Sequence, residues 1–84
     1  MKKILVTGGA GNIGSSLVAG LLKSENYHVS ILDNLSTGSL ENLPQSNKSF
    51  WRFIDCDVNN LTQLKQVLNQ DTFNYIFHYA ALVG

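Results

Sequence analysis

Eight residues near the N terminus, Thr7-Gly8-Gly9-Ala10-Gly11-Asn12-Ile13-Gly14, have the types and spacing needed to hold an anion without a charged side chain. Glycine permits positive φ in a sharp turn and puts no Cβ between backbone amides and a ligand. Amides left bare at a helix start, with the positive end of the helix dipole behind them, favour a pyrophosphate. Two spacings overlap, because Gly9, Gly11 and Gly14 fit G-x-G-x-x-G while Gly8, Gly11 and Gly14 fit G-x-x-G-x-x-G. Either one points to a dinucleotide when an acidic residue follows about 20 positions later. Asp33 stands nineteen residues after Gly14. Its carboxylate can accept from both hydroxyls of an adenosine ribose and would repel a 2′-phosphate. Residues 34–39 bring no Lys or Arg to offset that repulsion, so the pattern favours NAD over NADP.

Such residues work only if strands and helices carry them to one place. Residues 3–6 read as a short buried strand, and residues 12–23 as an amphipathic helix with Ile13, Leu17 and Leu21, flanked by Val18 and Leu22, along its apolar stripe. Gly14 in the first helical turn would allow close approach to the sheet, and Gly20 is expected to serve the same packing need. Residues 28–32 form a second strand that delivers Asp33 to its tip. The polar stretch 34–49 reads as a long functional loop, with Ser39 capping a single helical turn that Pro44 stops. Residues 50–54 read as a third strand, whose faces alternate between Trp51 with Phe53 and Phe50 with Arg52. Asn60 and Gln63 have capping-box spacing ahead of a helix striped by Leu61, Leu64, Val67 and Leu68. Residues 75–78 are a fourth strand leading into Tyr79-Ala80-Ala81.

Right-handed crossovers between such strands give a parallel sheet. The fold class is therefore α/β, a partial Rossmann (doubly wound) arrangement of four parallel strands in the order 3-2-1-4 with helices on both faces. Its strand order reverses between strands one and four, where ligands of such sheets bind. Lys2 and Lys3 fall at the far end of the first strand, as solvated charges away from the glycine turn.

Bulk properties narrow the partners. Eighty-four residues make one small domain, and six scattered basic residues balanced by six acidic ones give no cluster able to neutralise a nucleic acid or an anionic membrane. The apolar run after Lys3 stops at Val6, too short for a signal peptide, and no stretch approaches the roughly 20 apolar residues of a membrane span. Cys56 is the single cysteine, which excludes an internal disulfide and places the chain by default in the cytoplasm. It reads as a small buried apolar residue, and His28 and His78 as strand-end residues without spaced metal partners. A P-loop reading fails because Gly14-Ser15-Ser16 lacks the lysine, and a metal site at Asp33, Asp55 and Asp57 is opposed by glycines where it would need carboxylates.

Four segments in register resemble the NAD-dependent epimerase/dehydratase family of extended short-chain dehydrogenases, whose members act on nucleotide-diphosphate sugars. They are residues 7–14, Asp33-Asn34-Leu35-Ser36-Thr37-Gly38, Asp57-Val58 and His78-Tyr79-Ala80-Ala81. The second is most similar to UDP-glucose 4-epimerases and UDP-glucuronate decarboxylases. The resemblance implies NAD with its pyrophosphate on the Asn12 and Ile13 amides beside Gly8, Gly11 and Gly14. It implies a ribose held by Asp33, with Asn34, Ser36, Thr37 and Gly38 lining the loop. Asp57 and Val58 would recognise the adenine, and Tyr79, Ala80 and Ala81 would pass under the nicotinamide-side ribose. Asn12 departs from the aromatic residue usual at its position.

The family's catalytic Tyr-x-x-x-Lys pair is missing, because Tyr27, Tyr75 and Tyr79 are followed four residues later by Ile31, Tyr79 and Val83. The isolated chain is therefore expected to bind a dinucleotide without turnover. A non-catalytic dinucleotide module or sensor is the alternative. The sequence stops where the second half of a Rossmann sheet would begin, so residues 1–84 read as the N-terminal half of a truncated dinucleotide-binding domain without a substrate domain. In the complete enzyme a nucleotide sugar would be the substrate. The fourth strand would be left with an open edge for self-association.

Overall fold

The computed structural model describes residues 1–35, 38–45 and 48–79. Strand β1 (Lys2–Thr7), helix α1 (Asn12–Leu21), β2 (Tyr27–Asp33), β3 (Trp51–Asp55), α2 (Leu61–Gln70) and β4 (Tyr75–His78) follow one another along the chain. All strand pairs are parallel and the order is β3-β2-β1-β4, the order expected. Thr7 pairs with Leu32 on one side and His78 on the other, and Asp33 with Asp55. The C-terminal tips of all four strands therefore share one end of the sheet.

Period-two alternation divides the core between the faces. Ile4, Val6, Val29 and Ile31 pack against Val18 and Leu22 on the α1 side. Leu5 and Leu32 meet Val67 of α2 together with Cys56 and Val58 on the other. Helices thus cover both faces, and Cys56 is a buried member of the core, as its type implied.

The helix stripes hold in part. In α1, Val18 and Leu22 are buried against the sheet and Leu17 and Leu21 pack beside them, as expected, while the row of Val18 and Leu22 continues to the buried Gly14 in the first turn. Ile13 lies one step, about 100°, off that row and is 70% exposed. Gly20 is on the outer side, with nothing within 4 Å of where its Cβ would stand, so it has no packing role. In α2 only Val67 is buried, with Leu64 beside it, while Leu61 and Leu68 flank that line and stay exposed. Helix α1 also stops two residues earlier than its pattern implied.

Capping follows side-chain chemistry. Asn60 accepts from the Gln63 amide at 3.1 Å. The Asn60 amide itself donates to the Asp57 carbonyl at 2.9 Å, so the return half of the capping box is replaced by a backbone bond. Ser39 accepts from the Glu41 amide at 3.2 Å and caps the short 3₁₀ turn Leu40–Asn42 ahead of Pro44. A second 3₁₀ turn, Lys48–Phe50, takes Phe50 out of the expected third strand.

At the N-terminal end of the sheet the lysines are paired rather than simply solvated. Lys3 Nζ is 2.6 Å from Asp71 Oδ1, and Lys2 Nζ sits 5.3 Å from the centre of the Tyr75 ring. Asn74 closes β4 onto β1, accepting from the Lys3 amide at 2.8 Å and donating to its carbonyl at 2.7 Å.

Candidate functional site

The glycine turn joins β1 to α1 at the end of the sheet where all four strands finish. Gly8, at φ 72°, occupies a left-handed conformation that residues with a Cβ adopt at a cost of about 1–2 kcal/mol. Its amide donates to the Leu32 carbonyl at 2.7 Å, and the Gly11 amide donates to the Gly8 carbonyl at 3.1 Å. A Cβ on Gly14 would fall on the Gly8 carbonyl, so the close approach Gly14 permits is to its own loop. Gly9 makes the approach to the sheet instead, since its Cβ would stand 2.6 Å from the Ile31 side chain.

The first intrahelical bond runs from the Ser15 amide to the Gly11 carbonyl at 2.9 Å. The amides of Asn12, Ile13 and Gly14 precede it and have no acceptor among the described residues. Three bare donors at the positive end of α1 have the chemistry to hold an anion.

Asp33 lies beside this loop and is buried. Its Oδ2 accepts from the Ala10 amide at 3.0 Å and its Oδ1 from the Leu35 amide at 2.8 Å. Each oxygen retains a second lone pair. The bond to Leu35 is the turn-initiating role open to an Asp before Asn34, while the bond to Ala10, which ties the glycine turn to the loop after β2, had no signal in the sequence. Leu35, at φ 63°, is the non-glycine residue with positive φ among the described residues, a strain of about 1–2 kcal/mol located where the chain bends around Asp33. Gly38 packs so closely that a Cβ would lie 2.8 Å from the Ala10 carbonyl group and 3.0 Å from Asp33 Oδ2. Asn34 follows Asp33 at the exposed rim. Ser36 and Thr37 lie outside the described residues.

The loop after β3 brings the next pair to the same end. Asp57 Oδ1 accepts from the Asn59 amide at 2.9 Å, and the Val58 side chain is buried in the α2-side core. Burial, then the neighbouring Asp57 and Asp55, pushes the Cys56 thiol above its ordinary range, so it has no reactive character. Across the sheet, the Tyr79 amide donates to the Thr7 carbonyl at 2.9 Å. Thr7 Oγ1 and His78 Nδ1 are 2.6 Å apart, a pair that locks the tips of β1 and β4 together. Ala80 and Ala81 lie outside the described residues. The site thus gathers Gly8, Gly11, Asn12, Ile13, Gly14, Asp33 and Gly38 closely, with Asp57 and Tyr79 at the exits of the strands on either side.

Asn42 is the residue of this neighbourhood that no spacing indicated. Its carboxamide donates to the Ala10 carbonyl at 2.8 Å from thirty-two residues away. Turn chemistry predicted the Ser39 cap that carries it, but nothing local announces its distant partner.

Known proteins are similar to this chain in sequence and fold. A UDP-glucose 4-epimerase of Corynebacterium glutamicum is 42% identical over 84 residues, covering 98% of this chain and 23% of that protein. A solved UDP-glucose 4-epimerase of Thermotoga maritima, crystallised with UDP-glucose, superposes with a TM-score of 0.82 at 36% identity over 96% of this chain and 25% of its own. The dTDP-glucose 4,6-dehydratase of Bacillus anthracis, in complex with NAD, gives a TM-score of 0.87 at 32% identity over 98% of this chain and 27% of its own. The chain spans about a quarter of the length of these relatives. The profile of one family matches residues 4–84, which takes in all of the chain but its first three residues: the chain belongs to the NAD dependent epimerase/dehydratase family.

Proposed function

We propose that this chain binds NAD at the C-terminal end of its sheet, as the cofactor-holding half of a dinucleotide-binding domain in a nucleotide-sugar epimerase or dehydratase. The carrying observation is the set of three bare amides, Asn12, Ile13 and Gly14, beside the buried carboxylate of Asp33. The residues present fit the cofactor. The pyrophosphate would lie on those amides, in space kept open by Gly8, Gly11 and Gly14. The ribose hydroxyls would donate to the remaining lone pairs of Asp33, with Asn34, Ser36, Thr37 and Gly38 around them. Asp57 and the Val58 amide, which has no acceptor among the described residues, would take the adenine. Tyr79, Ala80 and Ala81 would border the nicotinamide-side ribose. NADP would set a phosphate of charge about −1.5 to −2 against the Asp33 carboxylate.

NAD supplies the capacity to accept a hydride from a sugar carbon and return it. This chain's residues bind and orient the dinucleotide, and the 84 residues hold no Tyr-x-x-x-Lys pair to move a proton. Binding without turnover is therefore what we propose for the chain by itself, in the cytoplasm, with a nucleotide sugar as substrate of the complete enzyme. The solved relatives with UDP-glucose and with NAD support this reading. The outer edge of β4 is a further proposed contact, between copies of this chain.

Isothermal titration with NAD, ADP-ribose and NADP tests the proposal. NAD and ADP-ribose should bind with similar affinity and NADP at least about tenfold more weakly, the equivalent of one unfavourable charge contact. Asp33→Asn should narrow that gap. Equal binding of NAD and NADP by the native chain, or sugar-nucleotide epimerisation in a coupled assay, would refute the corresponding part.

A further inference from the structure

Ala10 sits at the centre of the glycine turn, is fully buried, and has its peptide groups held from three directions. Its amide donates to Asp33 Oδ2 at 3.0 Å. Its carbonyl accepts from the Ser39 amide at 3.1 Å and from Asn42 Nδ2 at 2.8 Å, which occupies both lone pairs. The Gly11 amide, in the same planar peptide as that carbonyl, donates to Gly8 at 3.1 Å. Because Gly11 has no Cβ, little else in the backbone prevents this peptide from turning over. A flip would swing the Ala10 carbonyl oxygen toward the helix start and set its negative end against an incoming phosphate.

We propose that Asn42 is a positioning residue for the anion site: through the Ala10 carbonyl it fixes the Ala10–Gly11 peptide in the orientation that leaves the Asn12, Ile13 and Gly14 amides open to a phosphate. The inference rests on the reading of residues 7–14 as a phosphate site. The 3₁₀ turn supplies the rigid mount. Ser39 caps it, the Asn42 amide donates back to the Ser39 carbonyl at 3.0 Å, and Gly38 lets the segment approach Ala10 closely. Residues 38–42 and the glycine turn are therefore joined by hydrogen bonds, with Asn42 as the side-chain link.

Amide hydrogen exchange on the full chain, followed by titration with ADP, tests this. In Asn42→Ala the Gly11 and Ser39 amides should exchange about three- to tenfold faster, the range expected from one lost neutral hydrogen bond, while Val6 and Ile31 in the central strands stay unchanged. ADP affinity should fall by a similar factor. Asn42→Asp keeps the side-chain size but points a carboxylate at the carbonyl, with Asp33 beyond Ala10 and Glu41 in the same turn as the charged neighbours. Its ADP affinity should be lowest at pH 7 and recover relative to the native chain as the pH falls toward 4, because the protonated carboxyl can again donate to Ala10. A side chain that merely fills space would give no such recovery. Native exchange at Gly11 in Asn42→Ala, or an affinity ratio for Asn42→Asp that is flat with pH, overturns the proposal. Failure of the native chain to bind ADP, with exchange responding as expected, would overturn the phosphate reading and leave the hold on the peptide intact.

Discussion

At the scale of single residues, the buried polar side chains each have a structural partner. Asp33 accepts from two loop amides, Thr7 meets His78, and Ser30 accepts from Arg52 Nε at 2.9 Å. No buried side-chain nitrogen or oxygen among the described residues lacks a partner, which matters because a buried unsatisfied polar group costs about 1–3 kcal/mol. His28 is different. Burial first, then Arg52 and Lys3, lowers its pKa below the ordinary 6.5, and Asp71 opposes them only in part. The unfolded chain therefore binds a proton at His28 more readily than the folded one, so this residue withdraws stability as the pH falls below 6.5. Urea midpoints of the native chain should drop between pH 7 and 5.5, and those of His28→Gln should drop less. Parallel pH curves for the two proteins would show that His28 titrates alike in both states.

At the scale of elements, two glycines of α1 make opposite predictions. Gly14 faces its own loop, and the Cβ of Gly14→Ala would collide with the Gly8 carbonyl, at a cost of about 1–3 kcal/mol for overpacking. Gly20 faces outward with open space around it, so Gly20→Ala should stabilise the helix by about 0.5–1 kcal/mol. Urea denaturation of the two variants measures both signs, and stabilisation by Gly14→Ala would contradict the packing described. Element positions were largely legible in the sequence. The bounds of β4 coincide with residues 75–78, and the sheet order followed from short apolar strands and right-handed crossovers. The facing of α1 was legible for Leu17, Val18, Leu21 and Leu22, and not in its first turn, where Gly14 is buried and Ile13 exposed, because a glycine can mark the buried row as well as a large side chain. In the site, the types and spacing of Gly8 to Gly14 and Asp33 carried the prediction of a dinucleotide. The bonds to Ala10 from Asp33 and Asn42 are tertiary contacts between loops and leave no periodic trace.

At the scale of the whole molecule, the two sheet edges are unequal. On the β3 edge Arg52 and Asp55 are exposed charges, a common protection against pairing with another chain. β4 is Tyr-Ile-Phe-His, with Ile76 53% and Tyr75 48% exposed, and the chain has no net charge to keep copies apart. Sedimentation should show the native chain associating as its concentration rises and Ile76→Lys remaining monomeric. A native chain that stays monomeric throughout would rule out the edge contact.

Between the edges, β1 pairs on one side with a strand that starts at Tyr27 and on the other with a strand that starts at Tyr75. Closing the longer loop costs more chain entropy, about 0.6 kcal/mol for each doubling of length. The expected sequence of assembly is thus β1 with α1 and β2 first, and β4 afterwards. Pulse-labelled exchange should protect Val29 before Ile76, and simultaneous protection would count against this order. A nascent chain would then bring its glycine turn and Asp33 together while the β4 wall of the crevice is still unformed.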